Sequence, residues 1–192
     1  MIKHNRYDKH TTQGHAFFLY NSSDERLGLI AEYFKQGLAK HELCIFVTPE
    51  PQDEVIESFK AVGFDCGEAV VAGSLRIFEM NQTYLPDGRF VADYMLSNVA
   101  NFMEDAKAHG YSGLRTAGEM SWLDEHPAAL SEALDYEERV NSLNSPAPAF
   151  TGLCLYPVRD GFSDALHGAV RTHPSFIYNG EVRSNEHYHQ ED

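Results

Sequence analysis

Two runs, Leu43–Thr48 ("LCIFVT") and residues 150–156 ("FTGLCLY"), are apolar at almost every position. A strand with water on one face alternates, whereas an unbroken run suits a strand covered on both faces, as in a parallel sheet. Stretches of helical spacing separate the strand-like runs. "HAFFLY" at residues 15–20 precedes a face of Leu27, Ile30, Ala31, Phe34 and Leu38, and "LCIFVT" precedes Val55, Ile56, Phe59 and Val62. "SLRIFEM" leads to Val91, Met95, Val99, Phe102, Met103 and Ala106, and "GLRTA" leads to a helix that begins near Pro127 and runs to about Val140. "FTGLCLY" is then followed by "DALHGAV" and the strand "SFIYN". Strands joined by long helical connections pair in parallel through right-handed crossovers. The expected fold is therefore α/β, three-layered, with a predominantly parallel sheet of about six strands. Ser22 with Glu25 three residues on has the form of a capping box, which places the first helix start near Ser22.

A length of 192 residues suits one domain. It is read as spanning residues 15–189, after a flexible N-terminal segment, 1–14, and with a loose tail beyond about Asn185. There is no run of about 18 apolar residues that would span a bilayer, and the polar start lacks the apolar core of a secretory signal. A cytoplasmic, membrane-free protein is expected. The formal charge of −14 opposes binding to phosphate backbones, so direct contact with nucleic acid is not expected. Cys44, Cys66 and Cys154 form no C-x-x-C pair, and Cys44 and Cys154 lie within apolar runs, as small buried hydrophobes do. His187 and His189 have the spacing of a metal pair but belong to an acidic tail, so neither a metal nor a cofactor is expected.

In a parallel sheet the ligand gathers at the carboxyl ends of the strands. A nucleoside triphosphatase would carry G-x-x-x-x-G-K-[ST] after its first strand. This chain has "YNSSDERLG", with no Gly-Lys pair and with Asp24 and Glu25 where phosphate oxygens would lie. ATP hydrolysis is not expected.

Several phrases occur in a characteristic order: "HAFFLYNSSDE", "GLAKHELCIFVTPE", "GYSGLRTAGEMSW", "YEERVN", "LCLYPVRD" and "RTHPSFIYNG". Together they resemble the MEDS domain, the sensory domain named for methanogens, methylotrophs and the regulator DcmR. The resemblance implies a RecA/KaiC-like fold with a degenerate phosphate loop. It also implies the sensing of small organic molecules, proposed to be hydrocarbon derivatives. Family members carry a histidine kinase, an anti-sigma-type ATPase or a DNA-binding regulator as output. Here the output is expected to be such a partner in trans, with a homodimer as a further expectation.

The phrase "RTAGEMSW" leaves the fourth strand beside four chemically different side chains, and Gly118 is read as the residue that lets the backbone turn. The expected site is one cleft in which Glu119 orients the polar end of a ligand while Tyr20, Met120, Trp122 and Tyr156 bury its body. Arg171 or His173 would keep Glu119 ionised. If Glu119 is structural instead, Arg115 or Arg171 is its expected partner. His15, at the amino end of the first strand, is read as a structural hydrogen-bonding residue. No catalytic residue is assigned. The alternative is a small enzyme using Glu119 as acid or base with His173 or Tyr156 assisting, although no nucleophile-and-base pattern supports it. A third reading is an oligomerising protein with a plugged site.

Overall fold

The computed structural model describes residues 14–143, 149–179 and 181–188. The strands are β1 (Gly14–Tyr20), β2 (Leu43–Thr48), β3 (Leu75–Glu79), β4 (Gly113–Glu119), β5 (Ala149–Pro157), β6 (Ser175–Tyr178) and β7 (Glu181–Ser184). The helices are α1 (Ser23–Ala39), α2 (Gln52–Ala61), α3 (Gly67–Val71), α4 (Ala92–Ala108), α5 (Leu130–Val140) and α6 (Ser163–Thr172). One seven-stranded sheet runs β3-β2-β4-β5-β1-β6-β7, parallel throughout except for the antiparallel β6–β7 edge. The expected α/β fold with a mostly parallel sheet is therefore present, with one strand more than the alternation predicted. That strand follows "NG", a strong hairpin signal, and Asn179 takes the left-handed φ of 50° that such a turn requires.

Successive strand residues point to opposite faces, which divides the core in two. Ala16 and Phe18 join α1 and α2 through Ile30, Phe34, Val55 and Phe59, with Val70 of α3 packed against the same cluster. Phe17 points the other way, to α4, α5 and α6 through Met95, Val99, Tyr136 and Ala169. All six residues of β2 are buried, as an apolar run without alternation requires. The buried side of α1 is turned by about one residue from the predicted face: Arg26, Ile30, Tyr33, Phe34 and Gly37 face inward, while Leu27 and Leu38 are half-buried.

Ser22 caps the start of α1 as predicted, while the Glu25 side chain reaches back to Asn21, one residue beyond the N–H that a capping box would use. Ser22 Oγ accepts the Glu25 N–H at 3.2 Å, and Glu25 Oε2 accepts the Asn21 N–H at 2.9 Å. Ser22→Ala is expected to cost about 1 kcal/mol in chemical denaturation, and a loss under about 0.3 kcal/mol would show that Glu25 alone caps the helix. Asn185, where the tail begins, is itself pinned. The buried Asn185 amide donates to the carbonyls of Val170 at 2.6 Å and His173 at 2.8 Å. His189 and the N-terminal segment to residue 13 lie outside the described residues.

Candidate functional site

At the carboxyl edge of the sheet, β4 ends on Glu119, whose side chain is fully buried. A buried carboxylate needs partners, and three donors supply them. The Tyr20 hydroxyl donates to Oε1 at 2.8 Å, the Ser121 N–H donates to the same oxygen at 3.2 Å, and Arg26 donates to Oε2 at 2.9 Å. Arg26, from the first turn of α1, also pairs with Glu50, which accepts from Thr48 at the end of β2. Burial pushes the Glu119 carboxyl above its ordinary value, and Arg26, Tyr20 and Ser121 pull it back. This network ties the starts of the loops after β1, β2 and β4 together.

The partner of Glu119 is thus Arg26, not Arg115, Arg171 or His173. Arg115 faces Glu42 at 2.5 Å and stacks on the Tyr33 ring. Arg171 lies in the last turn of α6 and His173 caps it, and a parallel crossover must return the chain to the amino edge before β6 begins. That puts both residues at the opposite end of the sheet from Glu119. The expected single cleft is also divided by the sheet. Glu119 registers with Leu155, so it shares the α1 face with Tyr20, whereas Met120, Trp122 and Tyr156 belong to the α4–α6 core. Trp122 stacks on Phe90 with ring centroids 5.2 Å apart and is 4% exposed, a core position.

Gly118 does not turn the chain. It lies within β4, outside the set of positive-φ glycines, and a Cβ there would overlap the hydroxyl of Tyr84, which lies across the strand.

A second constellation occupies the other face, near the amino edge. His15 on β1, Cys154 on β5, Glu137 on α5 and His173 at the end of α6 are all buried. Glu137 Oε2 lies 3.0 Å from His15 Nε2, 3.3 Å from Cys154 Sγ and 3.4 Å from His173 Nε2. Its Oε1 lies 3.4 Å from the Tyr156 hydroxyl. His15 Nε2 is 3.2 Å from Cys154 Sγ, and the two imidazoles pack with centroids 4.0 Å apart. Burial and the neighbouring His15 lower His173 to about 3, so its ring is neutral. Burial tends to raise Glu137, but His15, helped by the hydrogen bond from Cys154, outweighs it and the carboxyl falls below its ordinary value. Burial and Glu137 push the Cys154 thiol well up. Cys154 is buried in the core, as its apolar run suggested, and its thiol donates to Glu137.

Residues 14–174 match the MEDS family, the MEthanogen/methylotroph, DcmR Sensory domain. The chain belongs to the MEDS family. No curated protein matches it.

The matched span of this MEDS domain runs from β1 to the α6–β6 connection, and so takes in both constellations. Between the sheet and α4 and α5 it holds a cavity of about 30 Å³, walled by Ile45, Val47, Met95, Val99, Phe102 and Phe150. Tyr84, Gly118 and Thr116 border it, and His15 and Cys154 do so on the side of the buried cluster. Arg171 lies elsewhere, with His187, on an open groove of about 670 Å³ between α5 and α6. Among the described residues, no helix is long and apolar enough to cross a membrane.

Sequence reasoning missed Arg26 and Glu137, and both left the same trace. Each is a charge on an otherwise apolar stripe at helical spacing: Arg26 with Ile30, Tyr33 and Gly37, and Glu137 with Ala133, Tyr136 and Val140. A charge in such a stripe is buried with a partner or not folded at all.

Proposed function

We propose that this MEDS domain is a non-catalytic sensor that takes a small, largely apolar molecule into the cavity between the sheet and α4 and α5. Binding is relayed to a separate output protein. A histidine kinase, an anti-sigma-type ATPase or a transcription regulator would serve, and a second copy of the chain is a further candidate. The observation that carries the reading is the cavity itself: an apolar interior space in a sensory domain, with a few polar atoms to one side, has the make-up of a small-molecule pocket. Its volume of about 30 Å³ is that of one water-sized molecule, so anything larger must push back a wall. Phe102, half-buried on α4, is the wall residue with most room to move.

The acid/base alternative for Glu119 has less support, because three donors already occupy that carboxylate and Arg26 would have to leave before it could exchange a proton with a substrate. Thermal shift with small alcohols, ketones and other short hydrocarbon derivatives tests the reading. Compounds that stabilise the wild type are expected to lose most of their effect on Val99→Leu, which fills the cavity, and to keep it on Glu119→Gln. Equal stabilisation of wild type and Val99→Leu would overturn the cavity as the site.

A RecA/KaiC-like ancestry with a degenerate phosphate loop belongs to the same reading. Its support is chemical: at the start of α1, where a phosphate would lie on free N–H groups, the Asn21 and Glu25 N–H groups are already taken, and Asp24 and Glu25 add negative charge. No magnesium-dependent phosphate release from nucleoside triphosphates is expected from the purified chain. Turnover that disappears on changing Asp24 would overturn this.

A further inference from the structure

The buried cluster on the α4–α6 face holds a contact that hydrogen bonding does not explain. His173 Nδ1 lies 2.9 Å from the carbonyl oxygen of Ala169, which can only accept, so the ring proton is on Nδ1. Nε2 is then a bare lone pair, fully buried, without a hydrogen-bond partner, and directed at a carboxylate oxygen 3.4 Å away. Two acceptors facing each other in an apolar interior repel. A cation between them would turn that repulsion into shared coordination.

We propose that His15, Glu137, Cys154 and His173 form a buried four-ligand site for a divalent transition metal of the zinc class. The donor atoms, His15 Nε2, His173 Nε2, Cys154 Sγ and a Glu137 carboxylate oxygen, lie within 4.8 Å of one another. Tetrahedral zinc with bonds of about 2.0–2.3 Å requires donor separations of about 3.3–3.8 Å. The separations of 3.3 and 3.4 Å already fall in that range, those of 3.0 and 3.2 Å need to widen by a few tenths of an ångström, and the widest, up to 4.8 Å, needs to close. The donor set of two imidazoles, one thiolate and one carboxylate suits zinc and cobalt and is too soft for magnesium or calcium. A thiolate and a carboxylate also cancel the charge of a divalent ion, so the loaded site is neutral in its apolar surroundings.

Loading releases the thiol proton of Cys154, and His15 must offer Nε2 as a lone pair, with its ring proton on Nδ1. The second shell is already built for His173, whose Nδ1–H is held by the Ala169 carbonyl, an arrangement that orients metal-ligating histidines. His15 Nδ1 has no such partner, which makes His15 the weaker imidazole ligand. With four protein donors the site is closed, so its role is structural, joining β1, β5, α5 and the end of α6. It does not depend on the cavity receiving a ligand.

The full chain is purified under reducing conditions from zinc-supplemented culture, analysed for metal, stripped with a chelator and titrated with cobalt(II). About one zinc per chain is expected, together with visible cobalt bands of tetrahedral intensity and a thiolate-to-cobalt charge-transfer band. Cys154→Ser should abolish the charge-transfer band, and His173→Gln should weaken metal binding by at least about tenfold. His187→Ala with His189→Ala should change neither. Folded wild-type protein that binds no cobalt, or binds it without a charge-transfer band, overturns the proposal even if the ligand variants fail to fold. Metal lost with the tail histidines overturns it as well.

Discussion

Arg26→Ala is expected to lower the unfolding free energy by about 3–5 kcal/mol, the cost of leaving a buried carboxylate without its cation. Glu119 is wholly buried, and Arg26 at 2.9 Å is its charged partner. Glu119→Gln removes the charge while keeping an oxygen for the Tyr20 hydroxyl, and Arg26 retains Glu50, so its cost should be nearer 1–2 kcal/mol, roughly that of one altered charged hydrogen bond. Replacing both Arg26 and Glu119 by leucine should cost less than the two single changes together, because no orphan charge remains.

The pH dependence separates this account from a packing effect. Burial raises the Glu119 carboxyl, and losing Arg26 raises it further. A carboxyl with a folded-state pKa above its unfolded one binds more protons when folded, so stability rises as pH falls through that folded value. The deficit of Arg26→Ala should therefore shrink on acidification from neutral pH, and it should not shrink when Glu119→Gln is also present. Denaturant titrations of the three variants at several pH values measure both effects. A deficit under about 1 kcal/mol for Arg26→Ala would show that water reaches Glu119.

Gly118→Ala is expected to cost about 3 kcal/mol, at the upper end of overpacking, because the new Cβ lands on the Tyr84 hydroxyl. Tyr84 is 4% exposed and packs against Phe90 and Trp122, so its ring cannot swing into water without dragging an aromatic cluster with it. Combining Gly118→Ala with Tyr84→Phe removes the colliding oxygen and should recover a large part of the loss. No recovery would place the strain in the β4 backbone instead. Both residues border the cavity, so any compound found to bind there should lose its thermal shift in Gly118→Ala.

Some of this was legible in the chain. The unbroken apolar run of β2 reported a strand buried on both faces, and the Ser22–Glu25 spacing located the start of α1. These are local facts, set by neighbours within a few residues. The Asn-Gly pair before β7 was equally local and was passed over. The family phrases likewise belong to the sequence, and the span they indicated, 15–189, covers all but the first of the matched residues 14–174.

The partners of the buried charges were of another kind. Arg26 meets Glu119 across 93 positions, and His15 meets Cys154 across 139. No local pattern encodes such a distance. The charges on the α1 and α5 stripes announced that partners must exist, but only the strand order, with β5 between β1 and β4, decided which ones. Register settled the rest. Tyr156 and Leu155 are neighbours in the chain, yet the pleat sends them to opposite faces, and pairing Glu119 with Leu155 put Tyr156 on the far side of the sheet from the carboxylate it was expected to join. Sequence alone determined that this chain would fold as alternating strands and helices and which strands would be buried on both faces, because those depend on the spacing of apolar residues. Which polar groups converge was left to the tertiary structure, because a one-residue step along a strand reverses the face on which a side chain stands.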